Sequence, residues 1–353
     1  MKKKIIGSFI STLVIATCVL PAMGEFIALK NEDRCLNKSV NDNNFLPLSI
    51  IRLKFIIAGK ALRVLRTYWL HVPPSYDGSE EVPLVIVLHG YTGFSLKYPF
   101  LFFRLSWMEK YTEFSKKANK EGFIAVYPNA KLDFYTHGFD YNYGYAPGCP
   151  QKYVDDVGFL RALIDKMKQD YRINLSRIYV TGISDGGCMA YSIGAYLSDT
   201  IAAIAPVAGT IGGCISVEDD NFYQIPNPTN PVSVIVFHGT NDSLIPYEGG
   251  GDNNLSSVNE SVAFWVEHNG CNSTPEINTS ESGRVIRRTY MNGNNGTEVT
   301  LYTTVGGGRW WPGNPLDFIP DWFISPDPWI IDTTQEISAT DLIWEFFESH
   351  PKL

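Results

Sequence analysis

The segment VTGISDGGC places a serine between two glycines, as Gly182-x-Ser184-x-Gly186. It lies between a short apolar run and a helical pattern. In that context small residues allow a sharp turn that lifts the serine Oγ to the carboxyl edge of a sheet. The N-terminus of the following helix favours negative charge that develops nearby. The pattern therefore predicts a nucleophilic serine, and the alternative is a plain turn between a strand and a helix.

A nucleophilic serine also needs donors for the oxyanion that forms when it attacks an acyl group. The segment LHGYTG follows a continuous apolar run, VPLVIVL, that is typical of a buried strand. Backbone N–H groups of Tyr91 or Thr92 are therefore the expected oxyanion donors, together with the N–H of Asp185. A simple turn at His89-Gly90 is the alternative.

A carboxylate follows later in the chain. The segment FHGTNDSLIPY puts Asp242 just beyond another apolar run, in the chain order serine, acid, histidine that α/β-hydrolases use. The pattern predicts that Asp242 is the acid of a catalytic triad. Its alternative role is to hold an Asx turn.

The base is missing from the expected place. It should be a histidine between the last strand and the closing helix, but that loop reads GGGRWWPG and holds Arg309. Five histidines occupy positions that are typical of structural roles: His71, His89, His238, His268 and His350. Only His137, in a long aromatic loop, remains as a base that could be recruited to Ser184.

The elements that must position these residues follow an α/β pattern. Apolar runs alternate with helical patterns from about residue 83 onward, which predicts a mostly parallel sheet with helices on both faces. Two β-rich runs around Gly59-Lys60 predict an opening hairpin. The alternation in TEVTLYTTV predicts an exposed edge strand. No linker divides the chain, so residues 51–353 are expected to form a single domain.

The N-terminus reads MKKK followed by an apolar run, which predicts a secretory signal at residues 1–24. An uncleaved membrane anchor is the alternative. Residues 25–50 are polar and are expected to form an irregular leader. Five cysteines follow the signal, so at least one lacks an intramolecular partner. The net charge of −8 and the lack of a long Lys/Arg cluster argue against nucleic-acid binding. An exported chain with no membrane insertion after cleavage is expected, and no metal or organic cofactor is implied.

Aromatic residues are concentrated in two loops. Tyr141 and Tyr143 lie in the long loop that follows residue 129, and Trp310 and Trp311 follow Arg309. These four side chains are candidates for a groove that binds sugar or aryl groups. The alternative is that they pack locally and hold the loops together.

The chain resembles the secreted polyhydroxybutyrate depolymerase and feruloyl esterase-like hydrolases of the α/β-hydrolase superfamily. The resemblance is carried by blocks in the same order along residues 65–350: RTYWLHVPPSYDG, VPLVIVLHGYTG, EGFIAVYPN, VDDVGFLRALID, SRIYVTGISDGGCMAY, AAIAPVAGT, HGTNDSLIPYEGG, FWVEHNGC and GGGRWWPG. It implies an α/β-hydrolase fold, an ester substrate derived from a polymer or a plant cell wall, Ser184 as the nucleophile and Asp242 as the acid. It also implies that Arg309 stands where the family has its catalytic histidine.

The resemblance includes two smaller departures. Asp185 replaces the usual asparagine, and Gly293 lies near a position where the family often has a cysteine. The second departure implies that Cys271 has lost its disulfide partner.

Arg309 cannot act as the missing base, because a guanidinium stays protonated at physiological pH. It is instead expected to pair with Asp242. Two classes of function follow: an exported serine ester hydrolase with weak or no turnover, or a non-catalytic protein that binds polymers or esters on the same scaffold. A sequence change at position 309 in an otherwise active enzyme is a third alternative.

Overall fold

The computed structural model describes residues 49–57, 60–90, 92–93, 108–133, 138–140, 155–214, 222–251, 253–313 and 334–353. All of them belong to one compact unit that spans residues 42–353. The predicted signal, most of the predicted leader, Tyr91, His137, Tyr141, Tyr143 and the side chain of Thr92 lie outside the described residues. The first strand begins at Ser49, two residues before the predicted start of the domain.

One large sheet organises the described residues. Its strands are β1 (Ser49–Ile57), β2 (Lys60–His71), β3 (Val82–Leu88), β5 (Ile124–Pro128), β8 (Ile173–Ile183), β9 (Ala203–Val207), β12 (Ser233–Gly239), β13 (Glu276–Thr279), β14 (Val285–Tyr290) and β15 (Val299–Thr304). They lie in the order β1-β2-β5-β3-β8-β9-β12-β15-β14-β13. The six central strands, from β5 to β15, run parallel to one another. The predicted mostly parallel sheet is therefore confirmed.

Antiparallel hairpins extend the sheet at both ends. The predicted opening hairpin is confirmed: β1 pairs with β2, and Ile57 faces Lys60 across the turn. At the other end β13 pairs with β14, which pairs with β15. The prediction that β15 is an exposed edge strand was wrong, because β12 and β14 flank it and all six of its residues are buried. The edge strand at this end of the sheet is β13, whose four residues are all exposed.

Two smaller sheets lie outside the main one. In the first, β4 (Thr92–Gly93) and β6 (Lys131–Asp133) both pair with β7 (Gly138–Asp140). In the second, β10 (Gly212–Cys214) pairs with β11 (Phe222–Gln224). The first sheet ties the segment just after β3 to part of the long aromatic loop.

Helices cover both faces of the main sheet. They are α1 (Phe114–Glu121), α2 (Asp156–Asp170), α3 (Asp185–Tyr196), α4 (Val258–Asn269) and α5 (Ala339–Ser349). Ser257 and Glu260 form a capping box that fixes the start of α4. Ser338 caps α5 by accepting a hydrogen bond from the N–H of Asp341. No helix in the described part of the chain has the length and apolarity to cross a membrane.

The core consists of two layers, one on each face of the sheet. Alternate residues of β3 point into different layers: Leu84 and Ile86 lie with α2, α3 and α4, whereas Val85 and Val87 lie with α1 and α5. Because both faces are covered, the central strands are almost wholly apolar. The parallel strands bring the loops that follow β3, β8, β12 and β15 to one edge of the sheet, and these loops carry the residues that the sequence singled out.

Candidate active site

Ser184 lies at the turn between β8 and α3 in a strained backbone conformation. Its φ of 60° and ψ of −122° are rare for any residue other than glycine. The residue is buried, with an exposed fraction of 8%. Although it is the N-cap residue of α3, its hydroxyl makes no capping hydrogen bond. This geometry is that of a nucleophile elbow, in which the serine Oγ is presented rather than used to hold the helix.

Close backbone approach explains the two glycines that flank Ser184. A Cβ at Gly186 would overlap the carbonyl oxygen of Leu88, at the end of β3. A Cβ at Gly182 would come within 2.5 Å of the carbonyl oxygen of Gly186. Both positions therefore require glycine, because any side chain would force the turn away from β3.

The His89-Gly90 turn lies directly beside the serine. A Cβ placed on Gly90 would be 3.5 Å from Ser184 Oγ. The N–H of Ala130 donates to His89 Nε2 at 3.0 Å, so the proton of this imidazole is on Nδ1, which donates to the carbonyl oxygen of Gly90 at 2.7 Å. His89 is buried and holds the turn in place. It is thus a structural histidine, as expected.

The predicted oxyanion donors are described only in part. Asp185 is the first residue of α3, so its N–H lies at the positive end of that helix. The backbone of Thr92 lies in β4, opposite Phe139. Tyr91 lies outside the described residues, and the oxyanion roles of all three residues remain predictions.

Asp242 holds an Asx-type turn, the alternative that the sequence left open, and its role as the acid of a triad stays a prediction. Its Oδ1 accepts hydrogen bonds from the N–H groups of Leu244 at 2.9 Å and Ile245 at 3.0 Å, which is an Asx-type turn. Its Oδ2 lies 3.4 Å from Arg309 Nε. The carboxylate is fully buried, so the turn fixes its orientation and leaves one oxygen for the residue at position 309.

The contact that the sequence predicted between Arg309 and Asp242 is therefore present, through one hydrogen bond rather than two. The loop before Arg309 is fastened to the loop that carries Asp242. The N–H of Gly306 donates to Thr240 Oγ1 at 2.8 Å, and the N–H of Asn241 donates to the carbonyl oxygen of Gly307 at 2.9 Å. These bonds hold the guanidinium beside the carboxylate.

Trp311 fixes the loop on the other side of Arg309, and its prediction as a groove residue was wrong. It is 1% exposed, its backbone N–H donates to Tyr111 Oη at 2.9 Å, and its Nε1 donates to Thr340 Oγ1 at 3.0 Å. Its ring also packs edge-on against Phe114. Trp311 is thus a core residue of the layer that contains α1 and α5. Trp310 is only half-buried, and it lines a small cavity at the carboxyl edge of the sheet.

His238 lies behind Asp242, a contact that sequence reasoning missed. Its Nε2 is 3.6 Å from Asp242 Oδ2 and donates to the carbonyl oxygen of Ile245 at 2.9 Å. Burial lowers the pKa of His238, and the nearby charge of Arg309 lowers it further, while Asp242 opposes both effects. The imidazole is therefore neutral at pH 7. A histidine four residues before the acid was the signal in the sequence, but its turn position suggested only a structural role.

The other described histidines make contacts away from the serine. His71 bonds Asn119, while His268 and His350 each bond a backbone carbonyl oxygen in the preceding helical turn. Among the residues that the structure describes, none makes a hydrogen bond with Ser184 Oγ. The described site thus contains a presented serine, a buried acid and a cation, without a base in contact with the serine.

Comparison with solved structures identifies the class of fold. The chain is similar to the acetyl xylan esterase from Aspergillus awamori, with a TM-score of 0.50 and 14% identity, over 74% of this chain and 94% of that one. At this identity the similarity shows the fold alone. The predicted α/β-hydrolase fold is confirmed.

Comparison with curated proteins identifies an esterase and a depolymerase as relatives of this chain. The chain is 28% identical over 248 residues to feruloyl esterase B of Piromyces equi, covering 67% of this chain and 41% of the relative. It is 24% identical over 271 residues to poly(3-hydroxyalkanoate) depolymerase C of Paucimonas lemoignei, covering 70% and 58%. The match thus spans about half the length of these two relatives, and no family model matches the chain. The similarities confirm the resemblance to the polyhydroxybutyrate depolymerase and feruloyl esterase-like hydrolases.

Proposed function

We propose that this chain is an exported serine carboxylic-ester hydrolase of the feruloyl or acetylxylan esterase type, with slow turnover because Arg309 occupies the position of the base. The observation that carries the proposal is the strained Ser184 elbow, whose hydroxyl is left out of helix capping. The names of the relatives support an ester of a plant cell wall or a polyester as the substrate. The predicted signal at residues 1–24 supports export.

The proposed chemistry is acyl transfer. Ser184 Oγ attacks the ester carbonyl, and the N–H of Asp185 stabilises the oxyanion together with that of Tyr91 or Thr92. The alcohol leaves, and water then hydrolyses the acyl-enzyme. The serine proton has to pass to solvent, because the guanidinium of Arg309 accepts none. Attack is therefore slow, although Ser184 is presented at the elbow and the N–H of Asp185 lies at the N-terminus of α3.

The expected loss is large. Removal of one member of a catalytic triad lowers kcat by about 10⁴ to 10⁶, while oxyanion stabilisation and binding alone retain about 10³ over the reaction in water. Arg309 is expected to have an effect of this size, since it removes the base without disturbing Ser184.

A specific observation also favours the second function, binding without turnover. Arg309 takes the one oxygen of Asp242 that the Asx turn leaves available. In an active triad that oxygen orients the histidine. Here the acid is committed to a contact that supports the loop, so the scaffold retains a site for esters but lacks an assembled proton relay.

The test is hydrolysis of p-nitrophenyl acetate by the wild type, Arg309→His and Ser184→Ala. We expect Arg309→His to raise kcat/KM by about a hundredfold or more, because a histidine there restores the contact between base and acid. The wild type should exceed Ser184→Ala only slightly.

Two results would count against the proposal. If the wild type already runs far above Ser184→Ala, another group supplies the base. If Arg309→His folds, as judged by circular dichroism, and gains nothing, Ser184 and position 309 do not work together.

A further inference from the structure

We propose that this site binds the free carboxylate of a small organic acid, the acid half of the ester, in preference to the ester itself. The inference rests on the proposed function, in which Ser184 and Arg309 share one site. It differs from that function in the ligand: a base for catalysis has been replaced by a permanent cation that recognises an anion.

The guanidinium of Arg309 retains donors for a ligand. Its Nε bonds Asp242 Oδ2, and this is its only hydrogen bond to the residues that the structure describes. The N–H groups of both Nη atoms can therefore donate to a ligand. They form a planar edge that matches the two oxygens of a carboxylate. The side chain is 25% exposed, so a ligand can reach it.

Ser184 supplies a second donor for the same anion. The residue is more than nine-tenths buried, and its hydroxyl bonds no described residue. It lies at the N-terminus of α3, a helix of 12 residues, where the helix dipole favours negative charge. An anion placed between Ser184 and Arg309 meets a hydroxyl, a helix N-terminus and a guanidinium.

The fold brings these two residues to the same part of the sheet edge. Ser184 follows β8, its N–H donates to the carbonyl oxygen of Val207 at the end of β9, and β9 is next to β12. Val207 lines a cavity together with Gly308 and Trp310, the two neighbours of Arg309 in the chain. Val207 thus connects the turn that carries Ser184 with a cavity that the two chain neighbours of Arg309 also line.

Asp242 offsets part of the attraction of Arg309 for an anion but leaves the Nη edge of the guanidinium without a described partner. Two backbone N–H groups hold its Oδ1, and the carboxylate is fully buried behind the guanidinium. His238, which lies next to it, is buried and neutral. The exposed part of the cluster is therefore the cation, and a neutral ester lacks both the charge and the second anionic oxygen that the Nη edge accommodates.

The experiment compares an acid with its matched neutral ester. Isothermal titration calorimetry at low ionic strength would measure binding of ferulate and methyl ferulate to the wild type and to Arg309→Gln, with 3-hydroxybutyrate as an aliphatic acid. We expect the wild type to bind ferulate about tenfold or more tightly than methyl ferulate. Arg309→Gln should remove that preference, so that ferulate and methyl ferulate bind with similar affinity. Comparison of ferulate with 3-hydroxybutyrate shows which acid fits.

Equal affinity for acid and ester in the wild type would overturn the inference, as would a preference for acid that survives in Arg309→Gln. If Arg309→Gln does not fold, the salt dependence of binding to the wild type tests the inference by itself. Its preference for ferulate must fall when the ionic strength rises from about 0.05 to about 0.5 M, because a partly exposed charge is screened. The esterase assay is independent: Arg309→His can gain activity while ferulate is not preferred, and then only this inference fails.

Discussion

At the scale of single residues, the identity of residue 309 decides whether a proton can be exchanged beside Asp242. Position 309 still faces Asp242, because hydrogen bonds from Gly306 and Asn241 set the path of the loop. A histidine there would exchange a proton near pH 7, whereas an arginine does not. The strained backbone of Ser184 is retained even so. The strain is a property of the turn, so it does not depend on which residue occupies position 309.

The pH dependence of residual activity tests this view of position 309. We expect hydrolysis by the wild type, after subtraction of the Ser184→Ala rate, to show no rise between about pH 6 and 7. The buried His238 is not expected to supply one, since burial lowers the pKa of its imidazole and its Nε2 donates to the carbonyl oxygen of Ile245. Arg309→His should gain a rise near pH 6.5, about the ordinary pKa of histidine. The measurement is a profile of kcat/KM against pH.

A clear rise in the wild type would instead indicate a recruited base. His137→Ala then becomes the deciding variant, because His137 is the histidine that the sequence left open for this role. Loss of the rise in that variant would show that Arg309 does not disable the site.

At the scale of elements, residues 305–313, which follow β15, are anchored to the core. Trp311 holds this segment to the core, and Trp310 is half-buried at the cavity. Trp311 bonds Thr340 and packs against Phe114, whereas Trp310 contacts Tyr111 edge-on at 6.0 Å. The two adjacent aromatic residues therefore have different roles.

Alanine variants of this pair separate core packing from ligand contact. We expect Trp311→Ala to lower the free energy of unfolding by about 3–5 kcal/mol, because it leaves a cavity in the core. Trp310→Ala should cost less stability and should weaken ligand binding more. Urea unfolding and titration with ferulate measure the two effects. The reverse order of effects would restore Trp311 as a groove residue.

At the scale of the whole molecule, a buried ion pair joins the opening hairpin to the helical layer. Arg66 on β2 pairs with Asp156 at the start of α2, and both side chains are almost completely buried. Arg66 also donates to the carbonyl oxygen of Asn129 at 3.2 Å and lies over the ring of Phe159 at 4.0 Å. The pair connects segments that are 90 residues apart in the chain.

Removal of one partner of this ion pair is expected to lower the free energy of unfolding more than replacement of both partners by apolar residues. Asp156→Ala leaves a buried, unpaired guanidinium and should lower the free energy of unfolding by about 3–5 kcal/mol. The double variant Arg66→Met with Asp156→Leu removes both charges and should lose much less. Chemical denaturation of the wild type, the single variant and the double variant provides the comparison. Equal losses in both variants would mean that packing, rather than charge, decides stability here.

Predictions from local patterns succeeded where the structure depends on residues that are close together in the chain. The glycines around Ser184 indicate a tight turn because only glycine permits the close approach to β3. Apolar runs indicate the central strands because parallel strands are covered on both faces. The prediction for β15 failed because the strands that extend the sheet beyond it, β13 and β14, are polar. The sequence of β15 does not show that these strands pair next to it.

Short-range sequence was thus sufficient for the α/β class, for the serine elbow and for the presence of an arginine where a base is expected, because glycine sterics, apolar periodicity and guanidinium basicity act within a few residues. The folded chain decided which tryptophan is core, which strand is the edge and what surrounds Asp242. Those outcomes depend on burial and on contacts between β12, β15 and α5, segments that approach one another only when the sheet is assembled. The same assembly turns Arg309 from an isolated cation into one held beside a buried carboxylate.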